Sequence, residues 1–336
     1  MRYSSAPVLI GLFLAGMPAA AFAQARLTVE VKNRTANGTA IAGDEVVLQL
    51  YRSQEQIESL QAKADVDGKA VFEKILTGPD MAAVATAKHQ NMAFRSEPVA
   101  LNPATGEFSA SVQVFDVSTD TSKLSVGVHH IMVAVRGAAL EFTEYMQLKN
   151  ASDRAITSVK RDAENRPAVI EVKLPQGFQD LSASGYLEPE ALVVTPDGFY
   201  DTMAVPPGEH QVTFSYKVGI DRGAVKIVKE ITLPTAELML FWTHGQGKLE
   251  GLGEPNDRLA GADGVPIEYY RRSALKPGDR IAFQLSGFSA KKSDSYTWII
   301  LGAVFAVLVA IALWRLRPKA APTRSGAAGR SGQQRA

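Results

Sequence analysis

The chain has 336 residues, no cysteine, 46% apolar residues and a nearly even balance of 36 basic and 35 acidic side chains. This composition excludes a disordered tail and a disulfide scaffold. The lack of cysteine also excludes thiol catalysis, Cys-ligated zinc, iron–sulfur clusters and covalently attached c-type haem. Residues 24–297 carry 29 basic and 35 acidic side chains, and this mild negative charge argues against a nucleic-acid partner.

Residues 1–23 have the three parts of a secretory signal peptide. The basic Arg2 precedes a short apolar run, and the small residues Ala21 and Ala23 stand before the polar Gln24. We therefore expect cleavage after Ala23. The alternative is a retained N-terminal membrane helix, but the run is short and is interrupted by Gly and Pro.

A second apolar segment, TWIILGAVFAVLVAIALW, contains 18 uncharged residues at positions 297–314. As a helix it measures about 27 Å, close to the roughly 30 Å hydrocarbon core of a bilayer. We predict a single transmembrane helix over residues 296–315. The alternative, a buried helix of a soluble domain, seldom lacks a polar stripe over this length. The side chains expected at the membrane interfaces are Tyr296, Trp298, Trp314, Arg315, Arg317 and Lys319.

The distribution of charge around this segment predicts its orientation. Six cations follow Trp314, so the positive-inside rule places the C-terminus in the cytoplasm and the bulk of the chain outside. Residues 316–336 are expected to form a disordered basic tail. Such a tail either binds anionic lipid headgroups or acts as a stop-transfer signal, and we favour the second interpretation. The expected location is the bacterial cytoplasmic (inner) membrane, with the N-terminal domains periplasmic or extracellular.

Residues 24–118 show short alternating runs that are separated by turn residues. LTVEVKN and EVVLQLY alternate apolar and polar side chains, and Asn37-Gly38 between them is a turn dipeptide. A more polar stretch covers residues 52–61, and Asp67-Gly68 leads into another alternating run. Several strands at short spacing, without a sustained helical period, predict a small β-sandwich.

This first region resembles a known domain family. The series VEVKNRT, GDEVVLQLYR and ADVDGKAVFEKI is similar to the transthyretin-like domain named for the regulatory segment of carboxypeptidases. The resemblance covers about residues 25–117 and implies a seven-stranded sandwich that serves as an accessory module. The resemblance implies that this module is not a catalyst. The zinc peptidase that such domains often accompany needs a His-x-x-Glu pair, and no histidine here stands three residues before a Glu.

Residues 119–290 predict a second β-sandwich. Runs such as LSVGVHHIMVAV, LEFTEYMQLKNAS and HQVTFSYKV are strand-like, and Pro-Asp-Gly, Pro-Pro-Gly and Lys-Pro-Gly turns separate the runs. We expect one immunoglobulin-like or larger sandwich, with residues 245–264 as its longest surface loop. The predicted fold class is thus all-β, with two tandem β-sandwich domains, transthyretin-like and then immunoglobulin-like, followed by one transmembrane helix.

His129 and His130 are the first candidates for a ligand site, because imidazole is a common metal and haem ligand. Adjacent residues of a strand point to opposite faces, so this pair cannot easily chelate one metal ion. We favour ordinary hydrogen-bonded histidines and expect no cofactor. Trp242, within the Phe241-Trp242 pair, is a weak candidate for a sugar- or peptide-binding strip, although adjacent aromatic residues usually divide between the core and the outer face.

Other catalytic patterns are missing from the sequence. It contains no Gly-x-Ser-x-Gly elbow, Walker A loop or dinucleotide fingerprint. Asp65 and Asp67 resemble the start of a calcium loop, but Lys69 follows where further ligands are needed, so we interpret them as a turn. A carboxylate pair dispersed in the sequence remains the one route to a hydrolase.

These observations favour a non-catalytic, membrane-anchored adaptor that binds a partner protein of an envelope assembly system. Paired domains of this type resemble accessory proteins of envelope assembly or cytochrome maturation systems. The alternative is an anchored carbohydrate-binding module or glycan hydrolase. The adaptor predicts an exposed apolar patch or strand edge, whereas the alternative predicts a concave pocket with aromatic and acidic residues.

Overall fold

The computed structural model describes residues 24–102, 105–221, 223–261 and 264–288. Over these residues the regular structure consists of β-strands and two short 3-10 helices, Thr121–Lys123 and Pro189–Ala191. The prediction of an all-β chain is confirmed for this part. The predicted signal peptide, its Ala21 and Ala23 cleavage motif, the 296–315 span with its interface side chains and the basic tail lie outside the described residues. Within them, no helix has the length and apolar character that a membrane crossing needs.

The first region contains two sheets that enclose one apolar core. The smaller sheet has the order β4-β1-β8, and the larger has the order β3-β2-β5-β6, with β7 also paired to β5. The strands are β1 (Gln24–Asn33), β2 (Glu45–Arg52), β3 (Glu55–Lys63), β4 (Lys69–Leu76), β5 (Met81–His89), β6 (Met92–Arg95), β7 (Val99–Ala100) and β8 (Glu107–Val114).

This core follows from the alternation of side chains. Every second residue of β1, β2 and β5 is buried, as in the row Val46, Leu48 and Leu50. The polar stretch at residues 52–61 contains most of β3. That strand lies at a sheet edge and has one face in solvent, so few of its side chains are apolar.

A two-stranded parallel pairing joins this region to the rest of the chain. It is formed by β9 (Val117–Ser118) and β12 (Ala155–Ile156). Ala155 and Ala204 also pack into the core of the first region. The two regions therefore share packing as well as a covalent connection.

The second region has a large sheet with two small sheets packed on one of its faces. The large sheet has the order β14-β17-β11-β10-β19-β22-β21, and the small sheets have the orders β13-β16-β15 and β18-β23-β20. The strands are β10 (Leu124–Arg136), β11 (Ala139–Asn150), β13 (Ile170–Lys173), β14 (Phe178–Gly185), β15 (Leu192–Thr195), β16 (Gly198–Asp201), β17 (Gly208–Gly219), β18 (Ala224–Glu230), β19 (Thr235–Thr243), β20 (Lys248–Glu250), β21 (Asp257–Ala260), β22 (Pro266–Leu275) and β23 (Arg280–Ser286).

Residues from all three sheets form the second apolar core, which gives a layered, sandwich-like arrangement. Trp242, Phe142 and Tyr216 are its largest fully buried side chains. The predicted loop at residues 245–264 was wrong in part, because it contains the short strands β20 and β21. Both are only three or four residues long, which leaves too little alternation to recognise.

Candidate functional site

A buried carboxylate lies at the centre of the second core. Glu144, on β11, is fully buried and is held by three side chains from other strands. Lys229 Nζ donates to both of its oxygens at 2.9 and 2.7 Å, Tyr216 OH donates to Oε1 at 2.7 Å, and His129 Nε2 donates to Oε2 at 2.7 Å. These contacts connect the large sheet to β18, and both oxygens of the Glu144 carboxylate accept hydrogen bonds.

The pKa values of this cluster follow from burial and pairing. Burial alone would raise the pKa of Glu144, but the Lys229 ammonium and the His129 hydrogen bond outweigh it and lower the pKa to about 2. Burial lowers the pKa of His129, against the opposing effect of Glu144. His129 is therefore a neutral imidazole that carries its proton on Nε2, and the cluster is a stable ion pair with two neutral donors.

A cavity of about 20 Å³ borders this cluster. Its lining includes His129 and Lys229 together with apolar side chains such as Ile170, Val172 and Ile231. This volume accommodates about one water molecule and no organic substrate. The cluster thus has the residue types of a catalytic site without the access that catalysis requires.

The structure separates the histidine pair predicted from the sequence. His129 faces the core, whereas His130 lies on the opposite face of the large sheet, between the rings of Tyr145 and Phe241 at centroid distances of 6.0 and 5.4 Å. Burial lowers the pKa of His130 to about 4, and neither ring nitrogen has a hydrogen-bond partner among the described residues. Trp242 is buried in the core. No group of three potential metal ligands occurs within the described residues.

A second buried network lies where the first region meets the second. His89 is sandwiched between two carboxylates, with Nδ1 2.7 Å from Asp44 and Nε2 3.1 Å from Asp116. Asp116 also accepts from Asn33 Nδ2 at 2.8 Å and from Thr39 Oγ1 at 2.9 Å. Burial would raise the pKa of Asp116, but these hydrogen bonds lower it well below its usual range.

Two residues from the second region complete this network. Arg154 Nη1 donates to Asp116 Oδ2 at 3.3 Å, and the backbone oxygen of Asp153 accepts from Thr35 Oγ1 at 3.0 Å. The Asp153 carboxylate accepts from the backbone N–H of Ala36 at 3.1 Å. These contacts connect the two regions, and each carboxylate of the network accepts at least one hydrogen bond.

The β13-β16-β15 sheet has one closed outer edge. Leu174 N donates to Asp197 O, so by the alternation of antiparallel pairing the backbone groups of Ile170, Val172 and Leu174 face β16. The backbone groups of Glu171 and Lys173 therefore face outward. The two outward carbonyls are capped by side chains, because Thr232 Oγ1 donates to Glu171 O at 2.5 Å and Lys229 Nζ donates to Lys173 O at 3.3 Å.

The opposite edge of the same sheet, on β15, is open. Thr202 N donates to Ala191 O, and the alternation of antiparallel pairing then turns the backbone groups of Leu192 and Val194 away from β16. The Leu192 N–H donates to Pro189 O, so in the part of the chain that the structure describes the groups on this side without a strand partner are the Leu192 C=O and both backbone groups of Val194. No strand pairs with this side of β15 within the described residues. Val194 is 58% exposed, although it continues the core-facing row in which Val172 and Phe199 are buried.

The turn before β16 requires glycine. Gly198 has φ 148°, and a Cβ there would lie 2.0 Å from the backbone oxygen of Val172. This close approach packs the β15-β16 hairpin against β13 and fixes the position of the open edge.

Carboxylates are concentrated at one end of that edge. Glu188 and Glu190 precede β15 directly, and Asp201 is the cross-strand neighbour of Leu192. Within the part of the chain that the structure describes, one of these three carboxylates has an ion pair: Arg95 Nη1 lies 2.9 Å from Glu188 Oε1. Asp201 is fully buried, and its Oδ2 has no hydrogen-bond partner within the described residues. Burial and the negative charge of Glu188 raise the pKa of Asp201 to about 6.

A surface cleft of about 200 Å³ lies over the other face of this sheet. Its three carboxylates are engaged by cations, in the pairs Lys160–Glu171, Lys173–Asp197 and Arg166–Asp162. Tyr200 OH also donates to Asp162 at 2.7 Å. The cleft therefore contains ion pairs instead of an isolated carboxylate.

Sequence reasoning missed the Glu144 cluster, although a signal for it was present. In β11 the alternating row Leu140, Phe142, Glu144, Met146 and Leu148 contains one charged residue at a core position. In and after β18 the row Val225, Ile227, Lys229 and Ile231 contains one as well. Two opposite charges at core positions indicate a buried pair, since neither is stable alone.

Neither a family model nor a curated protein matches the chain. Two solved structures show a distant similarity. One is a mutant M1 zinc metallopeptidase from Deinococcus radiodurans bound to a Tyr-Ser-Ala substrate, with a TM-score of 0.31, 8% identity and coverage of 51% of this chain. The other is a mutant two-domain M1 zinc metallopeptidase bound to L-tryptophan, with a TM-score of 0.30, 10% identity and the same coverage of this chain. The chain spans 44% of each of those chains.

Proposed function

We propose that the chain is a non-catalytic adaptor, anchored in the bacterial inner membrane by residues 296–315, that holds a partner protein of an envelope assembly system outside the cytoplasm. In this proposal a transthyretin-like domain is followed by an immunoglobulin-like domain. The predicted signal peptide and apolar segment support the anchoring and the location.

The observation that carries the proposal is the open edge of β15. An unpaired strand edge offers backbone donors and acceptors to an incoming extended segment, which is a common mode of protein recognition. Three other edge strands of the second region have features that block such pairing. β14 is bulged next to Asp180, which has φ 52°, β21 carries Asp257 and Arg258, and β13 is capped. The four residues of β15 carry no charge.

The aromatic pairs give less support to the carbohydrate-binding alternative. Trp242 and Tyr270 are buried in the core, and their neighbours Phe241 and Tyr269 lie on the outer face of the large sheet. Phe241 is itself 7% exposed, so it offers little flat surface to a sugar ring.

The proposal is tested by site-specific photo-crosslinking of the full-length chain in native membranes. A photoreactive residue at Val194 is compared with one at Val159, which is 77% exposed and lies outside β15. We expect a discrete envelope protein to cross-link in near-stoichiometric yield from position 194 and not from position 159. Equal labelling from both positions, or retention of glycans without any protein, would refute the adaptor.

A further inference from the structure

We propose that the partner segment adds to β15 as an antiparallel strand and carries a Lys or Arg side chain near its C-terminal end, beside Leu192. This inference rests on the proposed function and assigns the chemistry of the partner. It starts from two independent observations, the open backbone edge and the excess of negative charge at one end of that edge.

The backbone dictates how the segment lies. Val194 presents an N–H and a C=O outward, whereas Leu192 presents only its C=O, because its N–H donates to Pro189 O at the end of the 3-10 helix. An incoming antiparallel strand can exchange paired hydrogen bonds with Val194 and donate one more to Leu192 O. Val194 lies on the core-facing side of the sheet and is exposed, so the segment gains most by placing an apolar side chain beside it.

The charges dictate the polarity of the segment. Glu188, Glu190 and Asp201 lie near the Leu192 end, with Arg95 as their one ion-pair partner among the described residues. Glu190 is exposed, so its carboxylate can contact the cation of a bound segment directly. Asp201 is buried, so it attracts that cation by longer-range electrostatics without contact. The Thr195 end differs, because Asp197 there is already paired with Lys173. In an antiparallel pair, the residue facing Leu192 lies toward the C-terminus of the incoming strand.

Three synthetic peptides test the inference on the full-length chain in detergent micelles. The first is acetyl-Thr-Val-Ser-Val-Thr-Lys-amide, the second has its Lys moved to the N-terminus, and the third has Glu in place of the C-terminal Lys. Binding is measured as slowed hydrogen exchange at the amide of Val194 during a peptide titration, because the Leu192 amide already donates to Pro189 O.

We expect the first peptide to bind about two- to fivefold more tightly than either of the others, because exposed charge pairs contribute modestly to affinity. The preference should shrink in high salt and in the Glu190→Gln variant. It should grow in Arg95→Ala, which frees Glu188. Lys149→Ala serves as the control, since Lys149 is paired with Glu209 on the large sheet.

Equal binding of the three peptides would overturn the charge assignment, and so would a preference for the peptide with N-terminal Lys. The adaptor would still stand if position 194 cross-links to an envelope protein. If no peptide protects the amide of Val194, the inference fails, again independently of the cross-linking result. A self-cross-link from position 194 to a second copy of the chain would refute the inference as well.

Discussion

The two outer edges of the small β13-β16-β15 sheet differ in whether their outward backbone groups have hydrogen-bond partners. On β13, the outward carbonyls of Glu171 and Lys173 receive hydrogen bonds from Thr232 and Lys229. On β15, the outward groups of Leu192 and Val194 have no strand partner within the described residues. The closed edge is tied to the core through the Lys229–Glu144 pair, whereas the open edge extends beyond the core. The comparison indicates that edge protection here is selective.

Among substitutions that change an edge of this sheet or its cap, the largest expected effect comes from removing the cation that serves both the core and the closed edge. In Lys229→Met, the buried Glu144 carboxylate loses its ion-pair partner, and the Lys173 carbonyl loses its cap. We expect the free energy of unfolding to fall by about 3–5 kcal/mol. The measurement is urea unfolding followed by fluorescence of Trp242, with Lys226→Met on the exposed face of β18 as the matched control. Equal losses of unfolding free energy in the two variants would show that the Lys229–Glu144 pair does not stabilise the folded chain.

The next effect concerns Asp201, which lies between the two edges. Its pKa is raised to about 6 in the folded chain from an ordinary value near 4, so the unfolded state releases this proton first as pH rises. The contribution of Asp201 to stability therefore falls between about pH 4 and pH 6, by about 2–3 kcal/mol in total. Asp201→Asn should remove this dependence. Unfolding measured at pH 4.5 and 7.5, with Asp197→Asn as the control, checks it, and an unchanged slope would contradict the assignment.

A smaller effect is expected from opening the closed edge at one point. Thr232→Val keeps the shape of the side chain but removes the hydroxyl that donates to Glu171 O, and one lost hydrogen bond costs about 1 kcal/mol. Chemical unfolding measures the loss. Thr195→Val, whose hydroxyl donates to Asp197 in an exposed turn, should cost less than half as much. The reverse order would mean that the cap does not protect the edge.

The smallest effect on stability is expected at the open edge. Val194→Lys alters an exposed side chain and should change the free energy of unfolding by no more than about 0.5 kcal/mol. Val172→Lys, in the same core-facing row but buried, should prevent stable folding. Thermal unfolding of both variants makes the contrast. A large loss from Val194→Lys would mean that the β15 edge is part of the core.

The sequence predicts much of this architecture, because a strand with one buried face alternates apolar and polar residues. β2, β5 and β11 show this alternation, and so the all-β class could be derived. The short strand β20 has too few residues for a period, and the polar edge strand β3 has too few apolar side chains.

The candidate site was harder to predict, because it depends on which strands become neighbours. Leu192, Val193 and Val194 read as an ordinary buried strand, and only the sheet order shows that one side of it is unpaired. Glu144 and Lys229 lie 85 positions apart in the chain, so their pairing depends on the packing of β18 against the large sheet. In contrast, the division of His129 and His130 between two faces follows from strand geometry alone.

The parallel pairing of β10 with β19 affects how the second region folds. Val126 pairs with Thr235, so the centre of the large sheet joins segments separated by more than a hundred residues. Closing that distance costs chain entropy before the contacts form, which predicts slow folding dominated by non-local contacts. Until β19 arrives, the apolar side chains of β10 and its unpaired backbone are exposed to other chains. A chain in which β19 has not yet paired is therefore prone to aggregation, and folding yield should decrease as chain concentration rises.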